Sequence, residues 1–327
     1  MAKFFTSAVA GFALLAMSLL AASGRRVRLL PKFTAGEALR YQIETRTTTA
    51  GTTTAPIANP EGASKLRQAA SLIVRLDVLD VQPSTDRAMG RVRLRATYEK
   101  STAKSESDAY DLEAQALEDQ YNRLEGRSLE FTIEPDGKLS DIKGIEDVLA
   151  NPSTAGAARS WMSGLSSGAG FPKDGIVVGQ KWTNEQPLEG TPLAGLIWRT
   201  EATYLRDELC RQAGAVSATD APRKASEEIC AVILTRFEIL HRGSRDDETP
   251  DDYRHNGLRT KGTWTGAGES IDSISLSNGL LSSSTQTSSQ EMDFEITSAL
   301  SGSKLRYAGR VESESAITRL PPAPAQP

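Results

Sequence analysis

Cysteine and histidine are nearly missing: the 327 residues hold two of each. Cys210, Cys230, His241 and His255 are too few and too scattered along the chain for a structural zinc site. Charge of one sign is also missing. The formal net charge is −4, with 38 basic and 42 acidic residues interspersed, so there is no basic footprint for nucleic acid. Gly266-Ala267-Gly268 has no third glycine and no helix after it, which rules out a dinucleotide loop. No solenoid or propeller repeat is present, and no cofactor is expected.

Long apolar runs are absent with one exception, at the start. Lys3 precedes an apolar stretch from Phe4 to Ala22 that closes on Ala21, Ala22, Ser23 and Gly24. That is the layout of a secretory signal peptide over residues 1–23. A run of this length is also able to span a bilayer as an uncleaved anchor, and Arg25, Arg26, Arg28 and Lys32 after it favour a cytoplasmic following domain in that case. The small-residue end and the cysteine usage support cleavage, hence a secreted or periplasmic protein with no stable membrane span afterwards. No cysteine at the cleavage edge offers a lipid attachment point. What remains is about 300 residues, read as one domain over 24–320 with a disordered Pro/Ala tail over 321–327.

Cys210 and Cys230 bracket a polar stretch between two apolar ones. In an oxidising compartment they are expected to pair and close that loop, contributing about 3 kcal/mol on chain-entropy reasoning. Otherwise they stand as two thiols.

The dominant period is two. Leu39, Tyr41 and Ile43 alternate with Arg40, Gln42 and Glu44. Val92, Leu94, Ala96 and Tyr98 alternate with arginines and threonine, and Met292, Phe294 and Ile296 alternate with acids. One-sided alternation marks antiparallel strands with one wet face. Residues 231–240 are apolar on both faces and belong in a central strand. Pro135-Asp136-Gly137 and Asn278-Gly279 read as hairpin turns. Helical spacing is confined to the middle: Tyr110, Ala114, Leu117, Tyr121 and Leu124 share a face, with shorter helices expected near 145–149 and 156–165. Residues 47–64 read as a long hairpin loop. The fold class these patterns predict is α+β: a large curved antiparallel sheet, half-barrel-like, packed on a few helices from the middle of the chain.

Gly164-Leu165-Ser166-Ser167-Gly168 fits the Gly-x-Ser-x-Gly pattern of serine hydrolases, with Ser166 as nucleophile. That motif needs a strand before it and a helix after it. Here a helix precedes it and Gly170 and Pro172 follow, so a glycine-rich helix end explains it more simply. His241 reads as a packed or strand-mouth residue rather than a base. The acidic loop from Arg245 to Tyr253 holds carboxylates suited to calcium but lacks ordered ligand spacing. Residues 282–290, nearly all Ser, Thr and Gln, form a polar uncharged strand surface, which a carbohydrate could contact.

Phe131-Thr132-Ile133-Glu134-Pro135-Asp136-Gly137, running through Ile142 to Gly144, and Phe171-Pro172-Lys173 leading to Val177-Val178-Gly179-Gln180-Lys181-Trp182, carry a resemblance. With the Leu39-Arg40-Tyr41 strand they resemble a family of secreted bacterial β-rich proteins, a domain of unknown function. Many members look like lipoproteins; this chain departs in lacking the lipid-bearing cysteine. The resemblance brings no catalytic residues. The architecture also resembles the half-barrel of periplasmic lipoprotein carriers, which implies an apolar cleft. Tyr41, Phe131, Trp161, Trp182 and Trp198 are the aromatics available to line or fill it. The expectation is a non-enzymatic exported protein that binds or carries an apolar ligand, a lipid or lipidated peptide. The alternatives are a structural or interaction protein of the cell envelope with a plugged core, its partner an envelope protein, and a hydrolase using Ser166.

Overall fold

Alternation of apolar and charged residues, sustained over strands of up to 19 residues, gives the sheet two chemically distinct faces. The computed structural model describes residues 25–53, 64–83, 89–108, 112–144, 161–162, 170–188, 190–210, 228–243 and 249–321. The first strands are β1 (Ala38–Thr53), β2 (Ser64–Gln82) and β3 (Arg91–Ser107), followed by helix α1 (Leu112–Asn122). Then come β4 (Ser128–Ile133), β5 (Leu139–Lys143), β6 (Lys181–Pro187), β7 (Leu196–Leu209) and β8 (Ile229–His241). A short helix α2 (Asp251–His255) precedes β9 (Leu258–Ser275), β10 (Leu281–Ser298) and β11 (Lys304–Leu320).

The eleven strands of the described residues form one open antiparallel sheet in the order β5-β4-β3-β2-β1-β11-β10-β9-β8-β7-β6. Every neighbour is a sequence neighbour except β1 and β11, which pair in mid-sheet from Arg40↔Leu320 to Thr53↔Tyr307. The edges are therefore β5 and β6, and residues 144–180 carry the chain from one edge to the other.

The described residues are mostly β with two short helices, a correction to the α+β expectation. The expected helices near 145–149 and 156–165 lie outside the described residues, apart from Trp161 and Met162, which are helical. A second correction concerns residues 47–64. Thr47, Thr48 and Thr49 continue β1 to Thr53 and pair with Ser313, Glu312 and Val311. β-branched threonines suit a pleated surface, and that preference outweighs the loop-like composition. The hairpin turns at Pro135–Gly137 and Asn278-Gly279 stand between β4 and β5 and between β9 and β10; β8 is an interior strand, but only its first half is apolar on both faces, since Arg236 and Glu238 are exposed on the charged one.

The edge of β3 is shared between a strand and a helix. β4 pairs with it only from Val92 to Thr97. Beyond that, α1 supplies the acceptors: the Ala103 N–H donates to Asn122 Oδ1 at 3.2 Å and the Ser105 N–H to Glu118 Oε2 at 2.9 Å. The Ser101 hydroxyl donates to the Tyr121 carbonyl at 2.5 Å. Side chains thus satisfy backbone donors that would otherwise template another strand. Replacing both acceptors, Glu118→Ala with Asn122→Ala, is expected to cost about 1–2 kcal/mol and to raise self-association. Urea denaturation and light scattering read the two effects, and a variant that stays monodisperse and equally stable would refute the edge-cap role.

The main core lies against one face at one end of the sheet. Leu39, Tyr41, Leu76, Val92, Leu94, Phe131, Ile133, Tyr204 and Ile233 belong to it. It is closed by residues 25–33, which bring Leu29 and Phe33, and by the approach to β6, which brings Ile176. The Val27↔Ile176 bridge ties these two segments together.

Candidate functional site

The register of β7 to β11 lines up aromatic rings that the sequence scatters over a hundred residues. On the same face as the core, but at the opposite end of the strands, each of the five strands presents one ring: Trp198, Phe237, Trp264, Phe294 and Tyr307. Trp198 stacks on Phe237 at 4.6 Å, Phe294 on Tyr307 at 5.5 Å, and Trp264 on Phe294 at 6.5 Å. Trp198, Trp264 and Phe294 pack against a small second cluster of Leu193, Leu196 and Ile239. Trp198, Trp264, Phe294 and Tyr307 stay half-buried, and partial burial pushes the Tyr307 phenol up.

Glycines leave the room for this row. A Cβ on Gly268 would stand 2.3 Å from Phe237 Cζ, and one on Gly266 3.0 Å from Ile239 Cδ1. The side chains of β8 therefore lie down over β9. Nearby, an open cavity of about 710 Å³ is lined by Leu193, Leu196, Trp264 and Phe294 together with the charged Lys261, Asp293, Glu295 and Arg306.

Between the main core and the ring row, the same face carries small polar side chains. These are Thr45 and Thr47 on β1, Ser313 and Ser315 on β11, Gln286, Ser288 and Gln290 on β10, and Ser270 on β9. The opposite face of the same strands is charged and pairs across strands: Arg199 with Glu238 at 3.5 Å and Arg236 with Glu269 at 3.9 Å. That charged face holds the larger depression, about 930 Å³, lined by Arg46, Arg199, Arg236, Glu201, Glu238 and Glu269 among others. Its charges answer one another in high dielectric, which is the behaviour of a solvated face.

Asp272 sits where the core meets the polar zone. The Ser284 hydroxyl donates to its Oδ1 at 2.6 Å and the Ser270 hydroxyl to its Oδ2 at 3.2 Å. Burial raises its pKa above the usual carboxylate range, and the two hydroxyls only partly offset that. A raised carboxyl pKa favours folding below the unfolded value, and that contribution is lost as pH rises through the folded value. Asp272→Asn is therefore expected to stabilise the protein by about 1 kcal/mol at neutral pH, with the gain vanishing in acid. Denaturant midpoints at pH 4 and pH 8 check it; a gain independent of pH would contradict the assignment.

The sequence-predicted aromatics divide between the two clusters. Tyr41 and Phe131 are buried in the main core, 2% and 0% exposed, and burial pushes the Tyr41 phenol up to about 12 while its hydroxyl donates to the Leu281 carbonyl. Trp161 packs edge-on against Phe131 at 6.4 Å, and Trp182 against Phe171 at 5.6 Å, both at the margin of that core. Trp198 alone belongs to the ring row. Cys210 and Cys230 form a disulfide with Cα atoms 5.0 Å apart, joining the end of β7 to the start of β8.

Ser166 lies outside the described residues, as does most of the acidic loop. His241 is exposed at the end of β8, its Nε2 3.1 Å from the Ala194 carbonyl, and His255 is exposed on α2. Among the described residues no group of three His, Cys, Asp or Glu side chains is placed to hold a metal ion. Sequence reasoning missed Phe237, Trp264, Phe294 and Tyr307 as companions of Trp198 in the row. The available signal was Gly266-x-Gly268: glycines within an alternating strand mark a close approach, here that of the β8 side chains.

The class that these features define is a mostly-β protein built on one open eleven-stranded antiparallel sheet. No protein-family model matches the chain, and no curated protein matches it. Among solved structures the chain is similar to Pseudomonas aeruginosa OccK7 (OpdD), with 6% identity over 87% of this chain and all of that one, and a TM-score of 0.18. A superposition that loose carries no argument.

Proposed function

We propose that this is an exported, non-enzymatic protein that binds or carries an apolar ligand, such as a lipid or lipidated peptide, on the ring-bearing face of its sheet. The observation that carries the reading is the row of rings from five adjacent strands, four of them half-buried and Phe237 buried beneath, apolar surface held at the protein's boundary. Apolar side chains gathered in this way on a sheet face mark interaction sites. The sheet is read as a half-barrel. In support, Phe131 of β4 and Tyr204 of β7, from opposite flanks of the strand order, belong to one continuous core cluster. That core is filled by the protein's own side chains, so the ligand takes the far end of the same face. Cys210–Cys230 supports an oxidising compartment, in line with a signal peptide over 1–23 and a domain over 24–320.

Native mass spectrometry of protein purified from the exporting compartment tests the reading. A stoichiometric apolar adduct, lost on denaturation and reduced by Trp264→Ala, is the expected result. An apo mass that stays unchanged after incubation with membrane lipid extract would overturn it.

A second reading, an envelope interaction protein, draws support from Leu300. It stands 94% exposed at the β10–β11 turn, a leucine with no core to serve. Crosslinking through a photoreactive residue at 300 would trap a partner if that reading holds.

A further inference from the structure

Apart from Asp272, at the border with the core, the face that bears the rings excludes charge over a wide area, although its reverse is dense with it. Core-side residues of β1 are Thr45 and Thr47; their reverse-side neighbours are Glu44 and Arg46. On β11, Ser313 and Ser315 alternate with Glu312 and Glu314, and on β9, Gly268 and Ser270 flank Glu269. Water alone does not demand this, since solvated strands accept Lys and Glu readily. The register assembles the uncharged side chains into a patch: Ser288 stands opposite Gly268 and Ser313, and Gln286 opposite Ser270 and Ser315. Ser313 in turn stands opposite Thr47. From Gln286 to Gln290 along the strand, and from β9 to β1 across it, the patch measures roughly 13 by 14 Å on standard strand spacings. At its border with the rings, the Trp264 indole N–H donates to Gln290 Oε1 at 3.1 Å, joining the two zones.

Resting on the apolar-ligand reading above, we infer that the ligand's head is neutral and hydroxyl-rich, so that the ligand is a glycolipid. Its acyl chain lies on Trp198, Trp264 and Phe294, and its sugar lies along Gln286, Ser288, Gln290 and Ser313. Each serine or threonine hydroxyl and each glutamine amide both donates and accepts, as sugar hydroxyls do. A neutral head asks for no counter-charge, whereas a phosphate or carboxylate head desolvated on this patch would lack a cation from it. Charge complementarity therefore selects the uncharged head.

The test is intrinsic tryptophan fluorescence of the whole mature protein. It is titrated below micelle formation with three probes of equal chain length: n-dodecyl-β-maltoside, dodecylphosphocholine and dodecanoate. The maltoside is expected to bind about tenfold more tightly than the other two, the effect of one or two net hydrogen bonds. Gln286→Ala with Ser288→Ala should erase that preference, lowering maltoside affinity about tenfold. Equal affinity for the three probes, or preference for a charged head, overturns the glycolipid assignment and leaves the apolar-ligand reading standing. Failure of all three dodecyl chains to bind overturns both.

Discussion

Phe131→Ala is expected to cost about 3–5 kcal/mol of folding stability and to leave ligand uptake per folded molecule unchanged. The Phe131 side chain is 0% exposed, faces Leu94 across β3 and β4, and meets Trp161 edge-on. Truncation leaves a cavity within a core that also holds Leu129 and Ile133, and the strand backbone restricts collapse into it. Trp264→Ala has the opposite profile. Its ring is half-buried, stacked on Phe294 and packed against the small Leu193–Leu196–Ile239 cluster, so its removal is expected to cost less, about 2 kcal/mol, while weakening ligand binding. Denaturant curves and binding isotherms on both variants separate the two roles. Loss of binding in Phe131→Ala at full folding would move the site into the main core.

Gly279→Ala is expected to be nearly as damaging, about 3 kcal/mol or more, although it adds one methyl group. Gly279 lies in the left-handed region at φ +67°, in the β9–β10 turn, and a Cβ there would stand 2.1 Å from the Leu30 carbonyl oxygen. That contact is backbone, so no side-chain rotation relieves it. The segment it would displace is held by the Lys32 N–H donating to the Asn278 carbonyl at 2.7 Å and carries Leu29 and Phe33 into the core. Gly302 is the control. It has φ +66° in the β10–β11 turn but nothing within 4 Å of a Cβ, so Gly302→Ala should cost only the left-handed penalty of about 1 kcal/mol. Equal losses in the two variants would show that backbone strain, not the docked segment, sets the cost.

Period-two alternation made the strands and their wet face legible, because side-chain direction in a strand is a local property. Tyr41 and Ile43 on one side, Glu44 and Arg46 on the other, needed no tertiary knowledge. The Asn278-Gly279 turn was legible for the same reason, and the Cys210–Cys230 pair followed from there being only two cysteines, one at each end of a polar stretch. The length of β1 was not, since its threonine-rich end has loop-like composition and is held extended by pairing with β11, which lies at the far end of the chain. The ring row was the least legible feature. Trp198 and Tyr307 are brought to one face by four successive registers, a non-local fact that no local pattern encodes. The same non-locality explains why Tyr41 and Phe131 and Trp198 look equivalent in sequence, yet stand at opposite ends of one face.

The most direct test of the account is photolabelling of the protein with a diazirine-bearing acyl chain, followed by residue-level mapping of the insertion sites. Alternate residues of a strand face opposite ways, so the map reads the face as well as the region. Insertion at Trp264, Met292 and Phe294, with Trp198 on the neighbouring flank, is the result expected. Insertion at Thr263, Thr265 and Asp293 on the reverse face, at Phe131 and Tyr41 in the core, or at no residue at all would contradict it.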